Sequence, residues 1–294
     1  MRRLFYFCAV NLSYLSEKSL SDFISAALLE DVGPGDYSTL ASVPAGAQNR
    51  ARLLIKDDGI LAGVDMGLHI FRQVDPQLQV QVKIQDGSPV QKGDIGLEVS
   101  GSARSILTAE RLVLNCMQRM SGIATITRRM AGLIEGTGAK LLDTRKTTPN
   151  FRIAEKWAVA IGGGHNHRYG LYDMVMLKDN HIDFAGGIPQ AIDATRRFLA
   201  EKGLSLKIEV ETRSLQEVEE VLRVGGIDRI MLDNMSPEVM RQAVALIDSR
   251  FETEASGGIT EATIRPIAET GVDYISVGAL THSARSLDIS LKAF

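Results

Sequence analysis

The pattern of apolar and polar positions changes once along the chain, near residue 115. Between about residues 20 and 115 it is mixed, with helical spacing in LSDFISAALLEDV and alternation in LQVQVKIQDGSPVQKGDIGLEVSG. Helical spacing predicts an amphipathic helix, and alternation predicts half-buried antiparallel strands. We therefore predict that residues 1–115 form an N-terminal α+β domain that carries an antiparallel sheet.

After residue 115, short apolar runs alternate with amphipathic helical segments. The runs are AKLLDTRK, MVMLKDN, KIEVET, RIMLDN, FETEAS and YISVGA. Strands that alternate with helices pair in parallel through right-handed crossovers. No GxGxxG follows a predicted strand, so an open (β/α) barrel over residues 116–281 is favoured over a dinucleotide-binding sheet. The tail, residues 282–294, is predicted to pack with the N-terminal domain.

The amino-acid composition disfavours nucleic-acid binding, membrane insertion and export. Among 294 residues, 45% are hydrophobic and the formal charge is −3, which gives no general basic field for nucleic acid or an anionic membrane. Cys8 and Cys116 have no metal-type spacing, and no apolar run is long enough to span a bilayer. The opening MRRLFYFCAVNL is a poor signal peptide because Asn11 interrupts its apolar run. A cytoplasmic protein is expected.

Charged side chains end most of the predicted barrel strands. Active sites of such barrels lie at the carboxyl ends of the strands, so these residues are predicted to converge on one site. In chain order, the charged residues and the two asparagines that accompany them are Asp143, Arg145, Lys146, Lys178, Asp179, Asn180, Glu209, Glu211, Asp233, Asn234 and Glu254.

The last two strand ends are small and glycine-rich. They are ASGGIT, with Ser256, Gly257 and Gly258, and SVGALT, with Ser276, Gly278 and Ala279. Bare backbone N–H groups suit phosphate, and barrels often bind phosphate at their final two loops. Tight turns that require a positive φ are the alternative, and phosphate binding is the favoured interpretation.

Cationic residues gather on the opposite side, at Arg145, Lys146, His167, Arg168 and Lys178. Zinc at His165 and His167 is disfavoured because the neighbouring cations would repel it. A compact pocket for a carboxylate or phosphate is favoured. A Schiff base at Lys146 or Lys178 stays open.

Two carboxylates, Glu211 and Asp233, complete the candidate set. Facing a phosphosugar, they could hold ribose hydroxyls, ligate Mg²⁺ or stabilise positive charge at the anomeric carbon. Alternatively, they form internal salt bridges with the lysines.

The chain resembles the quinolinate phosphoribosyltransferase family. TAERLVLNCMQRMSGIAT, DTRKTTPNFR, GGGHNHRYGLYDMVMLKDNHI, IEVET, IMLDN and EASGGI carry the resemblance, which runs in order from about residue 20 to 285. It implies a homodimer that converts quinolinate and phosphoribosyl pyrophosphate, with Mg²⁺, to nicotinate mononucleotide, pyrophosphate and carbon dioxide. Such a reaction belongs to NAD biosynthesis.

The resemblance also implies residue roles. Arg145, His167 and Arg168 would grip the quinolinate carboxylates. Arg111 would reach the same substrate from the partner subunit. Lys146 and Lys178 would contact the diphosphate or the developing charge, and Glu211 and Asp233 would face ribose and metal. The loops with Ser256, Gly257, Gly258, Ser276, Gly278 and Ala279 would bind the 5′-phosphate.

Three alternatives are considered. A nicotinate phosphoribosyltransferase holds one carboxylate, whereas three arginines and a histidine favour a dicarboxylate. A molybdenum-transport-associated paralogue acting as an anion-binding protein would be expected to have lost some of TAER, DTRK or NHR, and all three are intact. A Schiff-base aldolase is supported by fold analogy alone.

Overall fold

The computed structural model describes residues 12–294, and the chain divides into two compact units. The first contains Met1–Arg128, Thr147–Gly163 and Leu280–Phe294. The second contains Arg129–Lys146 and Gly164–Ala279. The predicted domain limits, at residues 115 and 281, stay predictions, and the signal-peptide interpretation of the opening residues lies outside the part described.

The first unit is built on an antiparallel sheet with strand order β12-β1-β5-β3. Strand β12 belongs to the C-terminal tail and pairs with β1 from Ala51↔Ala293 to Ile55↔Ile289. The elements of this unit are α1 (Glu17–Asp31), α2 (Tyr37–Ser42), β1 (Gln48–Ile55), β2 (Gly59–Ile60), α3 (Val64–Val74), β3 (Gln79–Val82), β4 (Pro89–Val90), β5 (Ile95–Ser102), α4 (Ala103–Leu133, which continues into the second unit), α5 (Arg152–Ile161), α11 (Ala279–His282, of which Ala279 belongs to the second unit) and β12 (Ile289–Ala293).

A buried carboxylate closes the start of α3, where glycine stands at the cap. Gly63 has φ 90° and no side chain, and Asp86 accepts hydrogen bonds from the backbone N–H groups of Val64 (2.9 Å) and Asp65 (3.1 Å). Burial raises the pKa of Asp86 to about 6, against the backbone donors that lower it. Asp86 therefore satisfies amide groups that a helix leaves unpaired at its first turn.

The second unit is an open α/β barrel, which confirms the predicted fold. Its six-stranded parallel sheet has the order β6-β11-β10-β9-β8-β7, so β6 and β7 form the two edges. All six predicted apolar runs contribute strands. The elements are β6 (Lys140–Leu142), β7 (Val175–Leu177), α6 (Asp179–Ala185), α7 (Ile188–Lys202), β8 (Ile208–Thr212), α8 (Leu215–Val224), β9 (Arg229–Asp233), α9 (Pro237–Ile247), β10 (Glu252–Ser256), α10 (Ile264–Ala268) and β11 (Tyr274–Ser276).

At the carboxyl edge of the barrel, serine side chains cap the helices α8 and α9, which follow β8 and β9. Ser214 accepts a hydrogen bond from the backbone of Glu217 at the start of α8, and Ser236 accepts one from Val239 at the start of α9. These contacts stop each strand and direct the chain into its helix. The strand ends are thereby held where the predicted site residues lie. Among residues 12–294, no helix is both long and apolar enough to cross a bilayer.

Candidate active site

One face of the barrel sheet is polar, although its strands are buried. Paired residues on neighbouring strands point to the same face, and successive residues point to opposite faces. The register pairs Glu209 with Arg229, Glu254 with Met231, and Asp233 with Ser256. These side chains therefore share one face and form layers from the amino ends of the strands to their carboxyl ends. Of the predicted site residues, Asp233 and Ser256 end their strands and Glu211 is the penultimate residue of β8, whereas Glu209 lies level with Arg229, the first residue of β9.

Carboxylates and a lysine meet at the carboxyl ends of the central strands. The Nζ atom of Lys178 lies 3.4 Å from Oε2 of Glu211, which is 9% exposed. Burial raises the pKa of Glu211, Lys178 opposes that rise, and the negative charge of Asp233 adds to it. The side-chain amide of Asn234 donates to Oδ2 of Asp233 at 2.6 Å. Glu211 and Asp233 therefore influence each other electrostatically, and their roles toward ribose and metal stay predictions.

The segment that carries His167 and Arg168 is held by Asp143. This buried carboxylate accepts from the backbone N–H of His167 (2.8 Å) and from the side-chain amide of Asn166 (2.6 Å). An isolated parallel bridge joins Leu142 to His165, so the segment continues the sheet beside β6. Asp143 therefore positions the neighbouring site residues.

Two arginines lie close enough to repel each other. Burial lowers the pKa of Arg168, and the positive charge of Arg145 lowers it further. The Nη1 atom of Arg168 donates to the carbonyl oxygen of Met174 at 3.2 Å. A carboxylate between the two guanidinium groups would relieve their repulsion and accept forked hydrogen bonds. Lys146, four residues after the end of β6, is exposed.

His167 faces into the barrel, with both ring nitrogens engaged. Its Nε2 lies 3.0 Å from Oε2 of Glu209 and 3.2 Å from Oε2 of Glu254, and both carboxylates are fully buried. Its Nδ1 accepts the backbone N–H of Arg168 at 2.7 Å. The Nη1 atom of Arg229 adds a cation 2.8 Å from Glu254. The grip of His167 on a substrate carboxylate stays a prediction.

The charge of this buried cluster depends on opposing influences. Burial lowers the pKa of His167, but Glu209 and Glu254 outweigh burial and raise the pKa to about 9. Burial and the charge of Glu254 raise the pKa of Glu209. The backbone donor at Nδ1 favours the neutral ring, whereas the carboxylates favour the cation. In either state Nε2 carries a proton that faces the carboxylates.

The two glycine-rich loops differ in conformation. Gly257 (φ 97°) and Gly258 (φ 59°) have the left-handed backbone that the turn alternative required, and phosphate binding there stays a prediction. In the second loop, Ser276 is buried and its side chain hydrogen-bonds to Glu254. Its hydroxyl is therefore engaged inside the barrel. Gly278 and Ala279 follow β11 at the same edge.

Three other residues of interest lie elsewhere. Arg111 is exposed on α4 in the first unit. His181 accepts the backbone N–H of Lys178 at 3.0 Å, so it caps α6. His165 is exposed, and its bridge to Leu142 places it beside β6. Among the described residues, the candidate metal-binding group of histidine and carboxylates is His167, Glu209 and Glu254, which does not include His165.

Sequence reasoning left the partners of His167 without a role. Glu209 and Glu254 were identified as strand ends, whereas Arg229 was not identified at all. A signal was available: charged residues recur at every second position in IEVET and in ETEAS. On a buried parallel strand, such alternation indicates that one face meets other polar groups.

The fold and the site together define an open α/β barrel in which arginines, a lysine and carboxylates lie near the carboxyl ends of the strands. Family models describe the same chain as quinolinate phosphoribosyl transferase, with the N-terminal domain matching residues 36–121 and the C-terminal domain residues 123–292. The chain belongs to the quinolinate phosphoribosyltransferase family.

Similar proteins come from plants and bacteria. A chloroplastic nicotinate-nucleotide pyrophosphorylase [carboxylating] from Oryza sativa subsp. japonica is 51% identical, covering 93% of this chain and 77% of its own. A probable nicotinate-nucleotide pyrophosphorylase [carboxylating] from Bacillus subtilis is 40% identical, covering 94% of each chain. The crystal structure of NadC from Streptococcus pyogenes superposes with a TM-score of 0.88 at 43% identity, covering 95% of this chain and 97% of that one.

Proposed function

We propose that the protein transfers the phosphoribosyl group of phosphoribosyl pyrophosphate to quinolinate and releases carbon dioxide, forming nicotinate mononucleotide and pyrophosphate for NAD biosynthesis. The observation that carries this proposal is the pair Arg145 and Arg168, whose charges crowd each other near carboxylates at the same barrel edge. Two adjacent guanidinium groups match a dicarboxylate better than a monocarboxylate. Family membership supports the same reaction.

The proposed chemistry has two bond-breaking stages. The pyridine nitrogen attacks the anomeric carbon while the bond to pyrophosphate breaks, and Glu211 and Asp233 stabilise the positive charge that develops on the ribose. Lys146 and Lys178 hold the departing diphosphate. The pyridinium then accepts the electron pair of the bond to the 2-carboxylate as carbon dioxide leaves, and that ring carbon takes up a proton. Arg145 and Arg168 orient the ring throughout.

The carboxylates at the strand ends fit Mg²⁺. Glu211 and Asp233 offer oxygen ligands, and burial together with the charge of Asp233 raises the pKa of Glu211, so a cation would relieve their repulsion. When bound, Mg²⁺ neutralises the diphosphate and improves it as a leaving group. Lys178 provides part of that neutralisation from the protein, since its Nζ already lies 3.4 Å from Glu211.

The reaction is tested by incubating purified protein with phosphoribosyl pyrophosphate, Mg²⁺ and either quinolinate or nicotinate. We expect nicotinate mononucleotide and carbon dioxide in equal amounts from quinolinate, little nucleotide from nicotinate, and neither product when EDTA replaces Mg²⁺. Nucleotide from nicotinate alone would favour the nicotinate enzyme. A folded protein that runs neither reaction would favour an anion-binding role.

We also propose a homodimer in which Arg111 completes the partner's site. Its exposed position on α4 supports this assignment. Co-expressing Arg111→Ala with Arg145→Ala tests it, because a mixed dimer then contains one site with both arginines. We expect each variant alone to be nearly inactive and the purified mixed dimer to regain about half of the wild-type activity, as one intact site per dimer. No recovery would indicate that Arg111 serves its own chain or none.

A cytoplasmic location is proposed from composition. Some plant relatives are named chloroplastic, so imaging of the tagged full-length chain in its own cells is the appropriate test.

A further inference from the structure

A cationic cavity inside the barrel reaches its amino mouth, and His167 and Arg168 of the proposed active site form part of its wall. It has a volume of about 250 Å³. Lys140, Arg229 and Tyr274, the first residues of β6, β9 and β11, line it, and Lys207, just before β8, does so as well. Lys178, Asp233 and Ser256 lie at or beyond the carboxyl ends of their strands. Because parallel strands have all their amino ends at one edge, this cavity opens at the amino mouth of the barrel.

The lining of this cavity has an excess of positive charge. Lys140, Lys207, Arg168 and Arg229 contribute to it together with His165, and its lining residues include no aspartate or glutamate. The presence of Lys140 lowers the pKa of His165, as burial also does. Of these cations, Arg168 also belongs to the proposed active site, whereas Lys140 and Lys207 lie at the amino ends of β6 and β8.

Nearby carboxylates neutralise only part of this charge. Glu252 contacts Lys207 (3.3 Å) and Arg229 (3.0 Å), and Glu254 contacts Arg229 (2.8 Å). Lys140 instead lies over the ring of Tyr274, with Nζ 5.8 Å from the centroid, and among residues 12–294 it has no salt bridge within 4.0 Å. Lys140, Lys207 and His165 are exposed at the mouth. Their nitrogens are therefore accessible to a ligand from solvent.

We propose that Lys140 and Lys207 at the amino mouth of the barrel bind a phosphate-type anion, at the end of this cavity that lies away from Lys178 and Asp233. Lysine amino groups act as point charges for phosphate oxygens, and His165 supplies a further hydrogen-bonding group along the wall. The Tyr274 hydroxyl already donates to Glu252, and the Asn166 amide donates to Asp143. The volume admits a phosphate or diphosphate group. Glu252 competes with the anion for Lys207 and Arg229, which keeps the affinity moderate.

The NMR chemical shift of His165 reports on ligand binding in this cavity. The chain has five histidines, and His165→Gln identifies the His165 signal by its disappearance. Inorganic phosphate, pyrophosphate and adenosine monophosphate are titrated separately into the full-length protein labelled at histidine ¹³Cε1. We expect a saturable shift of the His165 signal with inorganic phosphate, and the other two probes distinguish free phosphate from phosphate carried by a nucleotide.

Variants with opposite expected effects separate binding from misfolding. Lys140→Gln combined with Lys207→Gln should weaken phosphate binding about tenfold or more, because two charge-assisted contacts are lost. Glu252→Gln should strengthen binding, and Lys202→Gln, an exposed lysine at the end of α7, should leave it unchanged. No saturable His165 shift up to about 20 mM phosphate would overturn the proposal. Equal affinities in the wild type and the double lysine variant would do the same, as would an unchanged or weakened affinity in Glu252→Gln.

Discussion

Replacing Arg168 with alanine is expected to lower kcat/KM for quinolinate by about two orders of magnitude or more. The guanidinium group is half-buried and donates to the carbonyl oxygen of Met174 at 3.2 Å. The positive charge of Arg145 lies close enough to lower the pKa of Arg168. The guanidinium group of Arg168 is therefore preorganised, and its removal leaves one substrate carboxylate without a forked partner in a partly desolvated pocket. Steady-state kinetics with quinolinate and with phosphoribosyl pyrophosphate varied in turn would measure the loss.

Two comparisons make the Arg168 experiment specific. Arg168→Lys keeps the charge but not the planar fork, so we expect it to recover only part of the lost efficiency. Arg197→Ala removes an exposed arginine of α7 in the same unit, whose Nε makes only a long contact (3.4 Å) to the Asp193 carbonyl, and should behave like the wild type. An Arg168→Ala protein with normal kinetics would refute the assignment of this pocket to quinolinate.

The barrel could be predicted from the sequence because its strands are short apolar runs separated by amphipathic helices. This periodic pattern is local, and parallel pairing follows from it. The location of charged residues at strand ends, such as Lys178 and Asp233, is local in the same way. The family motifs then added roles that no periodicity contains.

The contacts of those residues could not be predicted, since they depend on how strands distant in sequence are brought together. His167 meets Glu209 and Glu254, which are 42 and 87 positions away in the chain, and only the register of β8 to β10 brings these carboxylates to one face. Ser276 was assigned to a phosphate loop, and its hydroxyl contacts Glu254 within the barrel. His181 caps α6 through the backbone N–H of Lys178, a contact that no pattern in the sequence indicates. Tertiary packing decides which hydrogen-bond partner each of these side chains meets.

Burial of charge is the second feature that a linear pattern conceals. Glu155 is fully buried in the first unit, where Arg119 lies 2.9 Å away and the backbone N–H of Thr148 donates to it at 3.0 Å. A glutamate within RIAEKWAVAI would ordinarily face solvent. Its partners lie on α4 and in the loop before α5, so burial is tolerated only once both have assembled around it.

Replacing Gly257 with alanine is also expected to lower activity strongly. A Cβ atom there would lie 2.2 Å from Oδ1 of Asn234 and 2.9 Å from its backbone nitrogen, on a residue whose φ of 97° is already unfavourable for alanine. Asn234 must therefore move, and its side-chain amide is the group that donates to Asp233 at 2.6 Å. Gly257→Ala thus displaces both the proposed phosphate loop and a carboxylate that faces the ribose. Displacement of about 1 Å at such a site costs about 10²-fold in rate.

Gly258→Ala is the matched comparison, because the two glycines are adjacent in one loop. Gly258 also has a positive φ, 59°, but a Cβ atom there would have no neighbour within 4 Å. Left-handed strain alone should cost about 1–2 kcal/mol of stability, with a loss of kcat/KM well below tenfold. Thermal unfolding of both variants, measured beside their kinetics, separates lost stability from lost activity. Equal losses of activity would contradict the view that crowding against Asn234 is the cause. A large loss in Gly257→Ala alone would tie the geometry of the phosphate loop to the position of Asp233.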